Sequence, residues 1–486
     1  MRMDIFNRIA GIFGTDAAGA SFEDVLAAKN MGRVIALMTD NAKRVGGALK
    51  VYDTNEHAIM KREDRPVFGK KNPETGLREF LRWDRLWRIP IPYPVYINEI
   101  ALVFLYGQPL KWSQASKGTD RAFEAFTGLL ERTRFDAKIR QAKRLAGAET
   151  QSAMLFHVYR NDEDRADVLI KVMAKSLGDD LYFRRDQFDR LTAFARGYSL
   201  TEGNGKTAYH LDLYTKEKIY LCRKVNFGWN VEEQVNPVGK IPVILFEQEA
   251  EFEGVERMIE RREWMTSILA DVNDRFSSPM LVTVGDSVSS LPGKMEDAKA
   301  IHIKPSEDGQ KADVKYLTWD SASESKRLEV EDLDRLILNS SFTPDISYEQ
   351  LRGLSNISGR ALKMLMTLAV IKADKRKETH DEYASRIGSL VTAIIGNVLD
   401  VGLKPECDRL KLLHGFQEPF GEDIEAVISN LIRTYNAGGL SLESLIEMNP
   451  IIKDPEAEKE RIREQHEREI EEEAKRARMD VFGSAD

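Results

Sequence analysis

Cysteine is almost missing from this chain of 486 residues: only Cys222 and Cys407 occur. Neither sits at a metal-ligand spacing, and no disulfide framework beyond one pair is possible. The scarcity fits synthesis in a reducing cytoplasm. Long apolar runs are missing too. A spanning helix needs roughly 18 consecutive apolar residues. The most apolar stretch of the N-terminal part, Ile97 to Tyr106, is shorter and contains Asn98 and Glu99. Met1 to Phe13 lack the apolar core and small-residue cleavage site of a signal peptide and read as an amphipathic terminal helix or arm. A cationic surplus is also absent, since 71 Lys and Arg face 79 Asp and Glu, for a formal charge of −8. Tight nonspecific DNA binding relies on clustered cations and counterion release. The acidic balance argues against it but does not exclude a protein that DNA slides past without sticking.

Catalytic signatures are equally scarce. The histidines (His57, His157, His210, His302, His380, His414 and His466) are scattered. They form no HExxH pair, no Cys–His signature appears, and no serine sits on a nucleophile elbow. Gly203-Asn204-Gly205-Lys206-Thr207-Ala208 fits GxGxxA and the tail of a phosphate loop, but Leu200 stands where that loop needs glycine. Thr207 to Tyr214 alternates like a strand, so a hairpin turn is expected there. Asp162, Glu163 and Asp164 lack the oxygen spacing and central glycine of a calcium loop and read as a charged hairpin tip. Asp179-Asp180 and Glu471-Glu472-Glu473 read as solvated faces. No catalytic, cofactor or metal residue is assigned, and the chain is not expected to be an enzyme.

What is present is a sequence of changing periods. Residues 21–50 have helical spacing, and 51–88 read as loop and short strands. The prolines of Arg88-Ile89-Pro90-Ile91-Pro92-Tyr93-Pro94 predict extended backbone without helix. Residues 119–147 predict one helical stretch with Phe123, Phe126, Leu129 and Leu130 on a common side. From Ser152 the period becomes that of strands. Ala153–Tyr159 and Ala166–Met173 flank a turn at 161–165, and Leu211–Tyr214 and Lys218–Cys222 form a second hairpin. A helix then runs over Glu253–Ser277, with short strands at 281–284, 300–303 and 314–317 before a second helix, Ser323–Ser340. No proline occurs between Pro344 and Pro405. Ser358–Asp400 can therefore be one helix, kinked or straight, roughly 60 Å long. Its charged middle, Lys372–Glu382, faces solvent or a charged neighbour. Residues 409–416 predict a returning strand. Asp423–Asp486 predict helices with a turn at Asn436–Gly439; the densely charged Pro455–Arg478 is solvated or one member of a bundle.

Two helices split by a small β insertion and feeding one long helix suggest a part that stacks beside copies of itself. Several segments in this order resemble the portal proteins of tailed bacteriophages. These are Ile97-Asn98-Glu99-Ile100 through Leu105-Tyr106-Gly107-Gln108-Pro109-Leu110; Arg196-Gly197-Tyr198 with Leu211–Glu217; Asn236–Phe246; Ser358-Gly359-Arg360-Ala361-Leu362-Lys363; and Gly439–Ser444. The resemblance covers roughly residues 90–460. It departs at Asn236, where a histidine is frequent, and at Gln248, where asparagine is common.

The resemblance implies an α+β, mostly helical portal fold with wing, stem, clip and crown. Such chains form a closed ring of about twelve subunits around a central channel. On that reading 1–250 form the wing, 251–278 the first stem helix and 279–321 the clip. Residues 322–341 form the second stem helix, 342–357 the tunnel loop, 358–422 the long wing helix with its returning strand, and 423–486 the crown. Asp345, Tyr348, Glu349, Arg352, Leu354 and Asn356 are the expected channel residues. Tyr348, Arg352 and Leu354 would make transient, sequence-independent DNA contacts, or the loop only packs against the neighbouring subunit. Glu256, Arg257, Glu260 and Arg261 on one stem helix, with Lys326, Arg327, Glu331 and Arg335 on the other, are the expected subunit contacts. Arg262, Glu263, Glu329 and Asp332 belong to the same mixed-charge faces. The implied partners are copies of itself, the large terminase subunit, major capsid and scaffold proteins, head-completion or adaptor proteins, and double-stranded DNA in transit, with no membrane. The implied location is the portal vertex of the virion, after synthesis in the host cytoplasm. Another ring-forming head–tail adaptor or scaffold-like protein is the alternative.

Overall fold

The computed structural model describes residues 21–482 apart from 72, 202, 204, 227, 277–279, 285–312, 318–322, 347–363, 365, 418–423 and 453. The chain divides into two units, Met1–Ser355 with Leu365–Gln417, and Asn356–Met364 with Glu418–Asp486.

In the first unit, α1 (Phe22–Ala27) starts at a reciprocal cap. Ser21 Oγ accepts from Asp24 N, and the Asp24 carboxylate accepts from Ser21 N. Lys29, at φ 54°, turns the chain into α2 (Met31–Ala36). Strand β1 (Thr39–Asp40) and α3 (Ala42–Tyr52) follow, then an antiparallel ribbon of β2 (Arg65–Lys71) and β3 (Arg78–Asp84).

Helix α4 spans Tyr93–Tyr106. The expectation of extended backbone through Pro94 fails here, because Pro94 lies in the first turn, where an N–H has no intrahelical partner to lose. Strand β4 (Lys111–Gln114) leads to α5 (Asp120–Arg132) and α6 (Phe135–Glu149). The single helical stretch expected over 119–147 is thus two helices, parted by Arg134 at φ 53°.

The strands come next: β5 (Gln151–Arg160), β6 (Ala166–Met173), β7 (Asp179–Arg185), β8 (Leu191–Thr201), β9 (Thr207–Tyr214), β10 (Lys218–Val225), β11 (Gly228–Val235) and β12 (Val243–Glu247). They build a sheet β1-β7-β8-β9-β10-β11 and a second sheet β12-β5-β6. Both expected hairpins are present, β5 with β6 and β9 with β10. The GxGxxA segment joins β8 to β9, with Thr201 opposite Thr207, so it is a hairpin connection and not a strand–loop–helix cradle. Asn236 staples the chain before β12: its Nδ2 donates to the Thr215 and Lys240 carbonyls, and its Oδ1 accepts from Val238 N.

The split helix is as expected: α7 (Glu256–Phe276), β13 (Met280–Val284) paired antiparallel with β14 (Asp313–Leu317), and α8 (Ser323–Ser340). The strand expected at 300–303 lies outside the described residues. So does Ser358–Lys363, the expected beginning of the long helix, which is described from Thr367 as α9 (Thr367–Ile394). Its end, Ile395–Leu399, is a π-turn in which Asp400 N donates to Ile395 O. Short α10 (Lys404–Cys407) precedes β15 (Leu412–Gly415), the returning strand, which pairs with β4.

The main core gathers Phe126, Phe135, Phe156, Ile244 and Phe246 with Ile387, Leu390 and Ile394 of α9. A second core sets Phe22, Val25 and Val34 against Ala195, Leu211 and Leu213 of the larger sheet. The second unit holds α11 (Ile424–Asn436), α12 (Leu442–Met448) and α13 (Pro455–Phe482), with Gly438 at φ 74° in the turn after α11. The helices and turn expected there are present.

Candidate functional site

The segment 251–346 is held at its root by a buried ionic cluster. The Glu251 side chain, which precedes α7, and the Lys143 side chain of α6 are fully buried and meet at 2.5 Å. From α9, Lys372 Nζ lies 3.2 Å from Glu251 Oε2, and Arg376 Nε donates to Oε1 at 3.2 Å. Gln248 Nε2 donates to the same oxygen at 2.8 Å. Lys372 Nζ also donates to the backbone carbonyls of Glu251 and Ser341, at 2.8 and 3.0 Å. One carboxylate therefore ties α6, the start of α7, α9 and the residue that follows α8.

The close approach depends on Gly147. A Cβ there would lie 2.0 Å from Asn98 Oδ1 and 3.0 Å from Glu251 Cγ.

Buried charge is costly unless it is paired and hydrogen-bonded. Burial alone would raise the Glu251 pKa, but Lys143, Arg376 and Lys372 outweigh it and hold the carboxyl well below the usual range. Burial lowers the Lys143 ammonium and brings Lys372 down to about 8, with Glu251 opposing in each case. His380 sits above the cluster with its Nδ1 facing the Tyr106 hydroxyl at 2.9 Å, and burial holds its pKa well below 6.5.

A second buried pair anchors α7 itself. His57 Nδ1 lies 2.6 Å from Glu263 Oε1, and its Nε2 lies 2.7 Å from the Val51 carbonyl. The Val51 carbonyl can only accept, so Nε2 carries a proton, and a second proton on Nδ1 is what a carboxylate at that distance would favour. The bond to Glu263 accordingly raises the His57 pKa, against burial. Farther along the same side of α7, Ser267 Oγ accepts from Ile89 N at 3.0 Å, Asp271 Oδ1 from Trp87 N at 2.8 Å, and Asp274 Oδ2 from Trp87 Nε1 at 2.6 Å.

Helices α7 and α8 pair through both apolar and charged contacts. Val255, Ile259 and Ile337 are buried with Ile97 and Phe252. Arg262 grips Asp334 with two nitrogens, at 2.6 and 3.2 Å. The Tyr93 hydroxyl of α4 bonds to Asp334 as well. The segment after α8 is pinned by Tyr96, whose hydroxyl donates to Pro344 O at 2.9 Å and accepts from Ile346 N at 3.1 Å.

This arrangement is a joint: a split helix whose root and flank are fixed by buried polar contacts and whose exit is fixed by partly buried ones. The family described as phage portal protein, SPP1 Gp6-like, matches residues 33–472, from within α2 to within α13.

The chain belongs to the phage portal protein family.

No curated protein matches it. Membership makes the portal chain a structural component of the phage virion that associates with copies of itself and with the capsid. No helix among the described residues is long and apolar enough to cross a membrane.

Of the channel residues expected from sequence, Asp345 is exposed one residue beyond Pro344. Tyr348, Glu349, Arg352, Leu354 and Asn356 lie outside the described residues. Of the expected subunit contacts on α7, Arg257, Glu260 and Arg261 are exposed, while the half-buried Glu256 accepts from Gly254 N at 2.8 Å. Arg261 meets Glu329 of the same portal chain at 2.7 Å. Arg327 pairs along α8 with Glu331, Arg335 pairs with Asp332, and Lys326 is half-buried.

Two residues depart from the mixed-charge face. Glu263 is buried against His57, and Arg262 holds Asp334 within the chain. Their partners lie 206 and 72 positions away, beyond the reach of a local charge pattern. Sequence reasoning also missed Glu251 and Lys143. The available signal was the charged run Lys372–Glu382 inside a helix with apolar ends. The charged neighbour it called for is Glu251.

Proposed function

We propose that the chain is the subunit of the portal ring at one vertex of a phage capsid. Through that ring the terminase packages double-stranded DNA, and the genome later leaves. In this reading 1–250 and 358–422 form the wing, and 251–278 and 322–341 the stem. Residues 279–321 form the clip that meets the terminase and later the head-completion proteins. Residues 342–357 form the tunnel loop, and 423–486 the crown.

The observation that carries the reading is the split helix α7–β13–β14–α8, rooted on α9 through Glu251, in a chain matched to the portal family over 33–472. The chain leaving α8 is held at Ser341 by Lys372 and at Pro344 and Ile346 by Tyr96, which fixes the entry of the proposed loop to α9 and α4. Asp345, Tyr348, Glu349, Arg352, Leu354 and Asn356 would line the passage. A single cation among them keeps phosphate pairing weak and transit fast.

Light scattering and negative-stain imaging of the purified chain test the ring. The expected result is a particle with a central hole and about twelve times the 55.3 kDa chain mass. A compact dimer without a hole opposes the reading. For the loop, deleting 346–354 should abolish DNA packaging while leaving assembly intact; unchanged packaging rejects the proposed DNA contacts.

A further inference from the structure

The β2–β3 ribbon carries an apolar face that nothing among the described residues covers. Phe68 packs near Phe80 and Phe80 near Trp83, with ring centroids 6.2 and 5.5 Å apart, so the three share one face. Yet they are 49%, 47% and 60% exposed, and Leu77 and Leu81 are exposed as well. No third strand joins the ribbon among the described residues. A two-stranded ribbon is marginal in water unless something packs on it, and exposed aromatic patches of this kind mark interaction sites. The ribbon is also basic at its base. Arg65 and Arg82 share the carboxylate of Asp84, and Arg62 and Arg85 line the same cleft beside Asp271 and Asp274. That cleft, about 620 Å³, lies between the ribbon base and the Ile268–Val272 stretch of α7.

A complementary surface lies on the other side of the stem. At about 100° per residue, Glu263, Ser267, Asp271 and Asp274 share one flank of α7, and Arg261 and Arg262 straddle the opposite flank. The first flank holds the segment carrying the ribbon, and the second holds α8. On α8, Leu328, Asp332 and Leu336 form an i, i+4, i+8 stripe, with Glu331 beside it. Leu328 and Leu336 are 53% and 48% exposed, and both acids are exposed too, each in an exposed pair along the helix, Glu331 with Arg327 and Asp332 with Arg335, that a neighbour's arginine would replace or join.

We propose that the aromatic face and arginine cleft of the β2–β3 ribbon receive the outer leucine–acid stripe of α8 from the next copy of this chain. The inference rests on the ring reading above and deepens it. A closed ring needs two different faces per subunit, each complementary to the other. An aromatic–arginine face on one flank of the stem and a leucine–carboxylate stripe on the other meet that need. The family's self-association supplies the occupant.

The test uses the full chain with Trp83→Cys and Leu336→Cys, singly and together. Both native cysteines are buried, and opposite flanks of α7 keep positions 83 and 336 from closing within one chain. After mild oxidation of purified rings, the double variant should run on a denaturing gel as a ladder of covalent multimers, and each single variant as a monomer. A second variant, Phe80→Ser with Trp83→Ser, should lower the ring fraction at least tenfold with an unchanged circular dichroism spectrum. Rings visible by microscopy whose double variant stays monomeric on the gel overturn this contact and leave the ring reading standing. A wild-type chain that gives closed dimers without a hole overturns both. Serine variants that keep the ring but lose retention of a DNA duplex overturn it in favour of a nucleic-acid surface.

Discussion

The ribbons β5–β6 and β2–β3 are both antiparallel pairs of similar length, and they meet opposite fates. In β5 the first six residues, Gln151 to Phe156, are all buried; in β3 six of seven are exposed. The first is flanked by β12 and lies under α6, where Ser152 Oγ donates to the Ala142 carbonyl at 2.7 Å. The second has no third strand among the described residues, and its base meets α7. Phe156 is 1% exposed and Phe80 47%. Pairing chemistry therefore says little about where a strand's apolar face goes. What differs is whether this chain supplies the second layer. The core under β5 is finished within one chain, and the flank of α7 that carries the ribbon is left open among the described residues.

The largest effect should come from the finished side. Glu251→Gln keeps the shape of the side chain but leaves Lys143, Lys372 and Arg376 without their carboxylate. Removing one partner of a buried pair costs about 3–5 kcal/mol, so equilibrium urea unfolding should show loss of most of the chain's stability.

Phe126→Ala and Phe80→Ala sharpen the comparison directly. The buried ring should cost about 3–5 kcal/mol. The exposed one should stay within about 0.5 kcal/mol in the unassembled chain while weakening association. Equal costs in the unassembled chain would mean that the ribbon is already covered by its own subunit.

A smaller effect depends on pH. The His57 pKa is raised above 6.5 in the folded chain. Its pairing with Glu263 thus contributes fully below pH 6.5 and is lost as pH rises through the raised value. Between about pH 6 and about pH 9 the melting temperature of the wild type should fall relative to His57→Gln. Parallel profiles would show that the ring is not charged.

The smallest effect belongs to Arg261→Ala. Its ion pair with Glu329 is exposed on both sides, and such pairs contribute about 0–1 kcal/mol.

Much of this architecture is written in local periods. The turn at 161–165, the helices α7 and α8 on either side of the β insertion and the strand returning at Leu412 all follow from spacing between neighbours in sequence. What escaped depends on distant partners or on unusual backbone. Arg134 breaks a helix at positive φ with no glycine to announce it. Pro94 sits inside a helix because the first turn tolerates it. The Glu251 cluster joins residues 108 and 125 positions apart, and no window along the sequence contains both ends. The same limit placed Glu263, which is buried against His57, on an outward surface, and hid the Asp334 partner of Arg262.

The π-turn that ends α9 has an ancestral consequence. Ile395–Leu399 holds one residue more than an α-turn would. It sets Gly396 against Lys404 Cα and Cys407 Cβ, each 3.2 Å from where a side chain would begin, and directs Asn397 Nδ2 to the Val238 carbonyl. A change of one codon upstream in α9 could be absorbed at this turn, which would leave Asn397 and everything after it in place. Selection on this stretch would then act on the phase of its last residues and not on its length, so related chains should vary in the length of α9 while keeping an amide donor that reaches the loop before β12.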